Sequence, residues 1–214
     1  MIDTLLNFTT TVHKYMNTEL GLRSVVRLKK PEYKHRKPHK VFDNKLKQNF
    51  TADEINQWCT DFTYLFLANH EVRYNCTIID LHDRSVIASI TDRNITSDLA
   101  IRTLRKALES QPTIKDGLIL HSDQGSQYTS KAFTEFCESV NVTQSMSKAG
   151  YLYDNAPMEH YFNILKNECT NLYEFTTEET LYQKVEEFAY VDYNHVRPHS
   201  YNGYRTPYKA RTAA

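Results

Sequence analysis

Three consecutive segments rich in β-branched and aromatic residues limit the folds open to this chain. They are strand-length runs at residues 58–67, 73–80 and 85–90, and short polar turns separate them. Strands joined by such short connections pair as antiparallel neighbours. We therefore predict that the first part of the fold is a three-stranded antiparallel meander.

Beyond residue 95 the hydrophobic pattern changes and alternates between helical and strand-like stretches. The predicted elements are a helix capped by Thr96 or Ser97 that ends before Pro112, a strand at 117–123, a helix opened by Ser130, a strand at 141–146, a helix at 155–170, and a helix that begins with the capping-box pair Thr176 and Glu179. This order predicts an α/β fold. Its mixed five-stranded sheet has three antiparallel strands and then parallel strands, with helices on both faces.

Charge is unevenly distributed along a chain whose 26 Lys and Arg balance its 26 Asp and Glu. Residues 1–50 carry 11 basic and 4 acidic residues, and residues 51–159 carry 9 and 15. A cationic segment beside an acidic domain is typical of proteins that bind phosphates, although a solvated linker has the same composition. We predict that the arm binds DNA through Lys29, Lys30, Arg36 and Lys37.

Composition excludes several classes of protein. No stretch approaches 18 uncharged apolar residues, and the N-terminus lacks the basic start and long apolar run of a signal peptide, so we expect no membrane association. The four cysteines are far apart in sequence, which favours free thiols in a reducing cytoplasm. A structural zinc site is an alternative, but no ligand pair has zinc-finger spacing.

Three acidic residues occupy positions suited to metal chemistry. Asp61 lies within the first predicted strand, Asp123 at the end of the fourth, and Glu159 one turn into the helix at 155–170. Strands that are neighbours in an open sheet would place Asp61 beside Asp123, with Glu159 approaching across the sheet edge. Carboxylate oxygens suit Mg²⁺, and a pair of such ions supports phosphoryl transfer. The residues alone also allow three unrelated acids at strand tips or edges.

The helix at 155–170 has two different faces. Met158, Phe162 and Leu165 belong to its apolar stripe, whereas Glu159 shares another face with Asn163 and Lys166. A carboxylate, an amide and an ammonium in one row could hold a metal ion and then the adjoining phosphate or base edge. An ordinary solvent-exposed face remains the alternative.

Several long motifs occur in a fixed order: WCTDFTY at 58–64, HSDQGSQYTS at 121–130, SMSK at 145–148, YDNAPME at 153–159, YNHVRPH at 193–199 and YRTP at 204–207. Together they resemble the catalytic core of bacterial insertion-sequence transposases of the retroviral-integrase superfamily, of the second-frame (OrfB) type. Thirty-five residues separate Asp123 from Glu159, which is the spacing of the D,D(35)E class.

The resemblance implies an RNase H-like fold in which Asp61, Asp123 and Glu159 hold two Mg²⁺ or Mn²⁺ ions. It also implies cleavage of a DNA strand by water and attack of the freed 3′-hydroxyl on another phosphodiester. Lys166 matches a family position that contacts the DNA end, and Gln127 is a weaker candidate for a DNA contact. Arg197 would bind phosphate or pair with an acid of the last helix.

The resemblance further implies the partners and the organisation of the protein. The partners would be the terminal inverted repeats of the element and target DNA, with a homo-multimer holding two ends, in the bacterial cytoplasm at the nucleoid. We predict a basic N-terminal arm at 1–50, a remnant of a DNA-binding region, then a catalytic core at 51–195 and a C-terminal tail at 196–214. Family members usually have a longer first region, so a second-frame product, a truncated copy and a fragment all stay open.

Two other functions are compatible with these motifs. One is an RNase H-like nuclease that hydrolyses DNA without joining it. The other is a non-catalytic transposase remnant that binds DNA.

Overall fold

The computed structural model describes residues 11–12, 14–21, 38–53, 55–112, 114, 117–148 and 155–213. The chain divides into two compact units, Met1–His35 and Arg36–Ala214. Within the first unit, a short π-helical segment at Tyr15–Glu19 has exposed side chains. All the elements below belong to the second unit.

A mixed five-stranded sheet organises the second unit. Its strands are β1 (Gln57–Phe66), β2 (Val72–Asp80), β3 (Val86–Asp92), β4 (Ile119–Ser122) and β5 (Thr143–Met146). They lie in the order β3-β2-β1-β4-β5. β1, β2 and β3 pair antiparallel, whereas β4 runs parallel to β1 and β5 runs parallel to β4. The predicted sheet is confirmed, with every strand end within two residues of its predicted position.

The α-helices that the structure describes in the second unit are α1 (Ser97–Ser110), α2 (Lys131–Ser139), α3 (Ala156–Glu168), α4 (Glu178–Glu187) and α5 (Pro207–Arg211). Thr96 caps α1 and Ser130 caps α2, as predicted. The predicted cap of α4 is wrong by one position. Thr177, not Thr176, has the extended backbone of a cap, and its hydroxyl accepts from the Thr180 N–H. Beyond α4 the chain widens into a π-helical segment at Phe188–Val196.

The alternation of β1 creates two hydrophobic clusters, one on each face of the sheet. Trp58 packs with α1 and α2, and the next residue, Cys59, packs with α3 and α4. Both side chains are fully buried. All four cysteines are buried free thiols, as predicted. The helices therefore cover both faces, and Asp61, two residues after Cys59, lies on the side of α3.

Residues 38–50 run along the β5 side of the sheet. The His39 N–H donates to the Thr129 carbonyl at 3.0 Å, and the Lys45 N–H donates to the Ser145 hydroxyl at 2.9 Å. Leu46 is buried in the cluster that contains α3. This part of the chain is thus anchored to the core, while the limits that we predict for the arm, core and tail stay predictions.

The C-terminal residues return to the turn between β2 and β3. The Arg211 guanidinium donates to Asp83 at 2.5 Å and to Asp80 at 2.6 Å. Both carboxylates are almost completely buried, with side chains 0% and 1% exposed. A buried carboxylate without a partner is costly, so Arg211 compensates two charges at once.

Among the helices that the structure describes, none combines the length and apolar character needed to cross a bilayer.

We predict that Arg211→Ala lowers the free energy of unfolding by about 3 to 5 kcal/mol, because it leaves two buried carboxylates without their cation. Urea denaturation followed by tryptophan fluorescence measures the change. Lys209→Ala, an exposed position on the same helix, is the matched control and should stay within about 0.5 kcal/mol of wild type. An Arg211→Ala protein as stable as this control would contradict the assignment.

Candidate active site

Asp61 lies in the middle of β1, opposite Thr77 of β2, and is half-buried. Its Oδ1 accepts a hydrogen bond from the Phe62 N–H at 2.7 Å. The pKa of Asp61 is raised to about 7, first by burial and then by the negative charges of Asp123 and Glu159, while the Phe62 hydrogen bond opposes the rise. The charges of the other two predicted acids thus act on Asp61.

Asp123 reaches this site because β4 runs parallel to β1. Cys59 pairs with His121, so the residues two positions further along, Asp61 and Asp123, lie at the same level where β4 ends. Asp123 is exposed and its Oδ1 accepts from the Gly125 N–H at 2.8 Å. Although the residue as a whole is exposed, neighbouring protein atoms partly shield its carboxylate from water, and this desolvation raises the pKa of Asp123. The hydrogen bond from Gly125 acts in the opposite direction.

Gly125 allows the turn after Asp123 to close. A Cβ at this position would lie 2.8 Å from Asp123 Oδ1 and 2.8 Å from Gln127 Oε1. Contacts this short do not occur, so any larger residue would displace the carboxylate or the amide. The missing side chain therefore lets the backbone N–H orient Asp123.

Glu159 is in the first turn of α3 and is exposed. The buried stripe of the helix includes Met158, which fixes the opposite side toward the core. Asn163 is exposed and Lys166 is half-buried, so these two side chains and Glu159 are directed away from the stripe. Partial burial lowers the pKa of Lys166 from its ordinary value.

The donor set of this site consists only of carboxylate oxygens, which suits a hard divalent cation. Like charges raise one another's pKa, and a cation would relieve that repulsion. Within the part of the chain that the structure describes, no three His, Cys, Asp or Glu side chains lie close enough to hold one metal ion. The acids therefore interact electrostatically without forming a closed coordination shell.

The other predicted contacts lie in different surroundings. Gln127 is half-buried in the turn after Asp123. Arg197 makes two 2.8 Å hydrogen bonds with Glu168 at the end of α3. Arg197 therefore has a carboxylate partner, as one of our two interpretations expected, but this acid is on α3 and not on the last helix. Lys29, Lys30, Arg36 and Lys37 lie outside the described residues.

Three residues that sequence reasoning missed lie behind the acids. Thr60, Tyr128 and Asn155 are buried and connected by hydrogen bonds. Their positions next to Asp61, soon after Asp123 and just before Glu159 were visible in the sequence. Their mutual contacts were not, because the connection depends on how the strand, the turn and the helix pack.

Two models of the integrase core domain match this chain, at residues 52–151 and 140–207. Together they span all three acids. The chain belongs to the integrase core family. Transposase InsF of insertion sequence IS3A from Escherichia coli is 35% identical over 168 residues, which cover 78% of this chain and 58% of InsF. An uncharacterised 31 kDa protein of insertion element IS600 from Shigella sonnei is 34% identical over 78% of this chain and 61% of its own length.

This integrase core thus spans about three fifths of the length of these relatives.

Solved structures agree on the fold. A simian T-cell lymphotropic virus intasome has a TM-score of 0.60 at 18% identity, covering 97% of this chain and 73% of that one. The HTLV-2 integrase catalytic core in complex with magnesium has a TM-score of 0.54 at 17% identity, covering 75% and 98%. The catalytic domain of Mos1 transposase with raltegravir and Mg has a TM-score of 0.53 at 15% identity, covering 63% and 71%. The predicted RNase H-like fold is confirmed.

We predict that Asp123→Asn lowers the pKa of Asp61 in metal-free protein of this integrase core, because removing a like charge favours the ionised form. Carbon-13 NMR titration of aspartate-labelled protein in EDTA measures the change from a starting value of about 7. Asp53→Asn, at an exposed position, is the control and should leave that value unchanged. An unaltered Asp61 pKa in Asp123→Asn would show that the two acids do not share a site.

Proposed function

We propose that this protein is a DDE transposase, a polynucleotidyl transferase that cuts DNA at the ends of an insertion sequence and joins the freed 3′-hydroxyl to another strand. The observation that supports the proposal is the effect of the charges of Asp123 and Glu159 on Asp61, within residues that match the integrase core domain. The 35% identity to transposase InsF supports it. The chain spans only 58% of InsF. The proposed activity is therefore to be measured on this chain and not taken over from the longer relative.

The cofactor that we propose is a pair of Mg²⁺ or Mn²⁺ ions held by Asp61, Asp123 and Glu159. The all-oxygen donor set and the charge repulsion felt by Asp61 support this assignment. A fold neighbour, the HTLV-2 integrase core, has been solved with magnesium. When bound, such ions supply activation of the attacking oxygen and stabilisation of the leaving oxygen in an in-line displacement.

The protein's own groups orient the reactants in this proposal. Gly125 fixes the Asp123 carboxylate through its backbone N–H, and the first turn of α3 presents Glu159 toward solvent, where DNA would approach. Water is the nucleophile for cleavage, and the freed 3′-hydroxyl is the nucleophile for joining. In cleavage the water oxygen bonds to phosphorus as the bond from phosphorus to the 3′-oxygen breaks, which releases the 3′-hydroxyl. In joining that 3′-oxygen bonds to a phosphorus of the other strand as one strand oxygen of that phosphodiester leaves, so no side chain forms a covalent bond with DNA.

Lys166, Asn163 and Gln127 are the proposed contacts to the DNA end. Lys166 and Asn163 lie on the side of α3 that faces away from the core, and Gln127 is in the turn that carries Asp123. Lys166 has no ion-pair partner among the residues that the structure describes, which leaves its ammonium available to a phosphate. Arg197 is a weaker candidate because Glu168 already neutralises its charge.

The basic arm is the proposed source of sequence-independent affinity for DNA. Arg36 and Lys37 precede His39 by only three and two residues. The backbone of His39 and Lys40 is anchored to Thr129, in the loop that follows Asp123. We propose terminal repeats and target DNA as partners, and a homo-multimer because two ends must be held together.

We predict that the protein with Mn²⁺ joins a pre-cut duplex, taken from the inverted repeats that flank its gene, to a supercoiled plasmid. Gel separation of labelled strands measures cleavage and joining. Asp123→Asn should reduce joining by at least a thousandfold while DNA affinity is kept, and Asp53→Asn is the matched control. Cleavage without joined products would identify a nuclease, and no difference between wild type and Asp123→Asn would identify a non-catalytic remnant.

We also predict that neutralising Lys29, Lys30, Arg36 and Lys37 together flattens the salt dependence of DNA binding. Each lost phosphate contact reduces the slope of log K against log salt by about 0.9, so the slope should fall by about 3 to 4. Fluorescence anisotropy at several salt concentrations gives the slope. Neutralising the exposed residues Arg105, Lys131, Arg205 and Lys209, which lie outside the arm, is the matched control. An arm variant with the wild-type slope would show that the arm is a linker.

A further inference from the structure

Thr60 immediately precedes Asp61 and is 1% exposed. Side chains alternate along a strand, so the Thr60 hydroxyl is directed to the opposite face of the sheet from the Asp61 carboxylate. Groups that hold Thr60 can therefore fix this part of β1 without entering the space around the acids.

Tyr128 holds Thr60 from the turn that carries Asp123. The two hydroxyl oxygens are 3.0 Å apart, and the phenol ring is fixed by contacts with Phe62 and Phe133 at centroid distances of 5.4 and 5.3 Å. The backbone of the turn is closed by a 3.0 Å hydrogen bond from the Tyr128 N–H to the carbonyl of Gly125. Since the Gly125 N–H binds Asp123, the Tyr128 hydroxyl connects the Asp123 turn to β1.

Asn155 holds Thr60 from the start of α3, four residues before Glu159. It occupies the N-cap position, but its side chain makes no capping hydrogen bond. The amide Nδ2 donates instead to the Thr60 carbonyl at 3.2 Å. Asn155 is 6% exposed, and an N-cap without its usual bond forgoes the stabilisation that such a bond gives the helix. The amide therefore connects the helix to the strand instead of capping the helix.

The segments that carry all three acids thus meet at one residue. We infer that Thr60, together with Tyr128 and Asn155, sets the spacing of the segments that carry Asp61, Asp123 and Glu159. The three are positioning residues, since they act through the carboxylates. The inference rests on the proposed function, because a cation site is what demands fixed carboxylates: sites of this kind require placement to within about 0.5 Å.

The test is the affinity of the full chain for Mn²⁺ alone, measured by electron paramagnetic resonance. Tyr128→Phe and Thr60→Val each remove one hydroxyl with little change of volume. Each should weaken Mn²⁺ binding about tenfold, as is typical when a group that orients metal ligands is lost. Because both remove the same hydrogen bond, the double variant should also be weakened about tenfold, not a hundredfold. Asn155→Leu should weaken Mn²⁺ binding by a similar factor.

Thr60→Ser restores the hydroxyl and should restore Mn²⁺ affinity, which a loss of packing alone would not do. Thr134→Val is the matched control, because Thr134 is a buried threonine of α2 and its substitution should leave Mn²⁺ affinity unchanged. Thermal denaturation verifies that every variant is folded at the temperature of the titration.

Wild-type Mn²⁺ affinity in folded Tyr128→Phe and Thr60→Val would overturn the inference while leaving the proposed function intact. A loss of affinity in Thr134→Val as large as that in Thr60→Val would also overturn the inference alone. A wild-type protein that neither binds Mn²⁺ nor joins strands would overturn the proposed function and this inference together.

Discussion

The electrostatic interaction of Asp61 with the carboxylates of Asp123 and Glu159 is the constraint on which the candidate site depends. Asp61, Asp123 and Glu159 come from a strand, a turn and a helix, and the charges of the last two raise the pKa of the first. Burial of the surrounding strands and helices stabilises the elements that carry these acids. Short hydrogen bonds from the Phe62 and Gly125 N–H groups orient the carboxylates of Asp61 and Asp123.

The two hydrophobic clusters hold in place the strand, the turn and the helix that carry the three acids. β1 lies at the centre of the sheet, with Trp58 and Cys59 fully buried on its two faces. α3 is fixed to one of these faces by the stripe that contains Met158. The C-terminal residues add a second restraint through Arg211, whose charge compensates two buried acids at the turn after β2. The fold thus uses a cation to stabilise these buried acids, whereas Asp61, Asp123 and Glu159 take part in none of the ion pairs formed among the described residues.

Much of this arrangement was predictable from sequence, because it follows from local patterns. The strand runs, the caps at Thr96 and Ser130 and the spacing between Asp123 and Glu159 each depend on residues close together in the chain. The cap at Thr177 was misplaced because two adjacent threonines offer the same chemistry. Contacts such as Arg197 with Glu168 and Thr60 with Tyr128 join residues 29 and 68 positions apart, so packing alone determines them. The net charge of zero did not by itself indicate a DNA partner. That prediction required separate charge counts for the basic arm and the acidic core.

The central claim is that the three acids form one cation site. Anomalous scattering from crystals soaked in Mn²⁺ tests it most directly, because the signal locates manganese without reference to activity. The account predicts two anomalous peaks about 3.5 to 4 Å apart, bounded by the carboxylates of Asp61, Asp123 and Glu159. Manganese bound elsewhere on the chain, or no peak beside these carboxylates at saturating Mn²⁺, would contradict it.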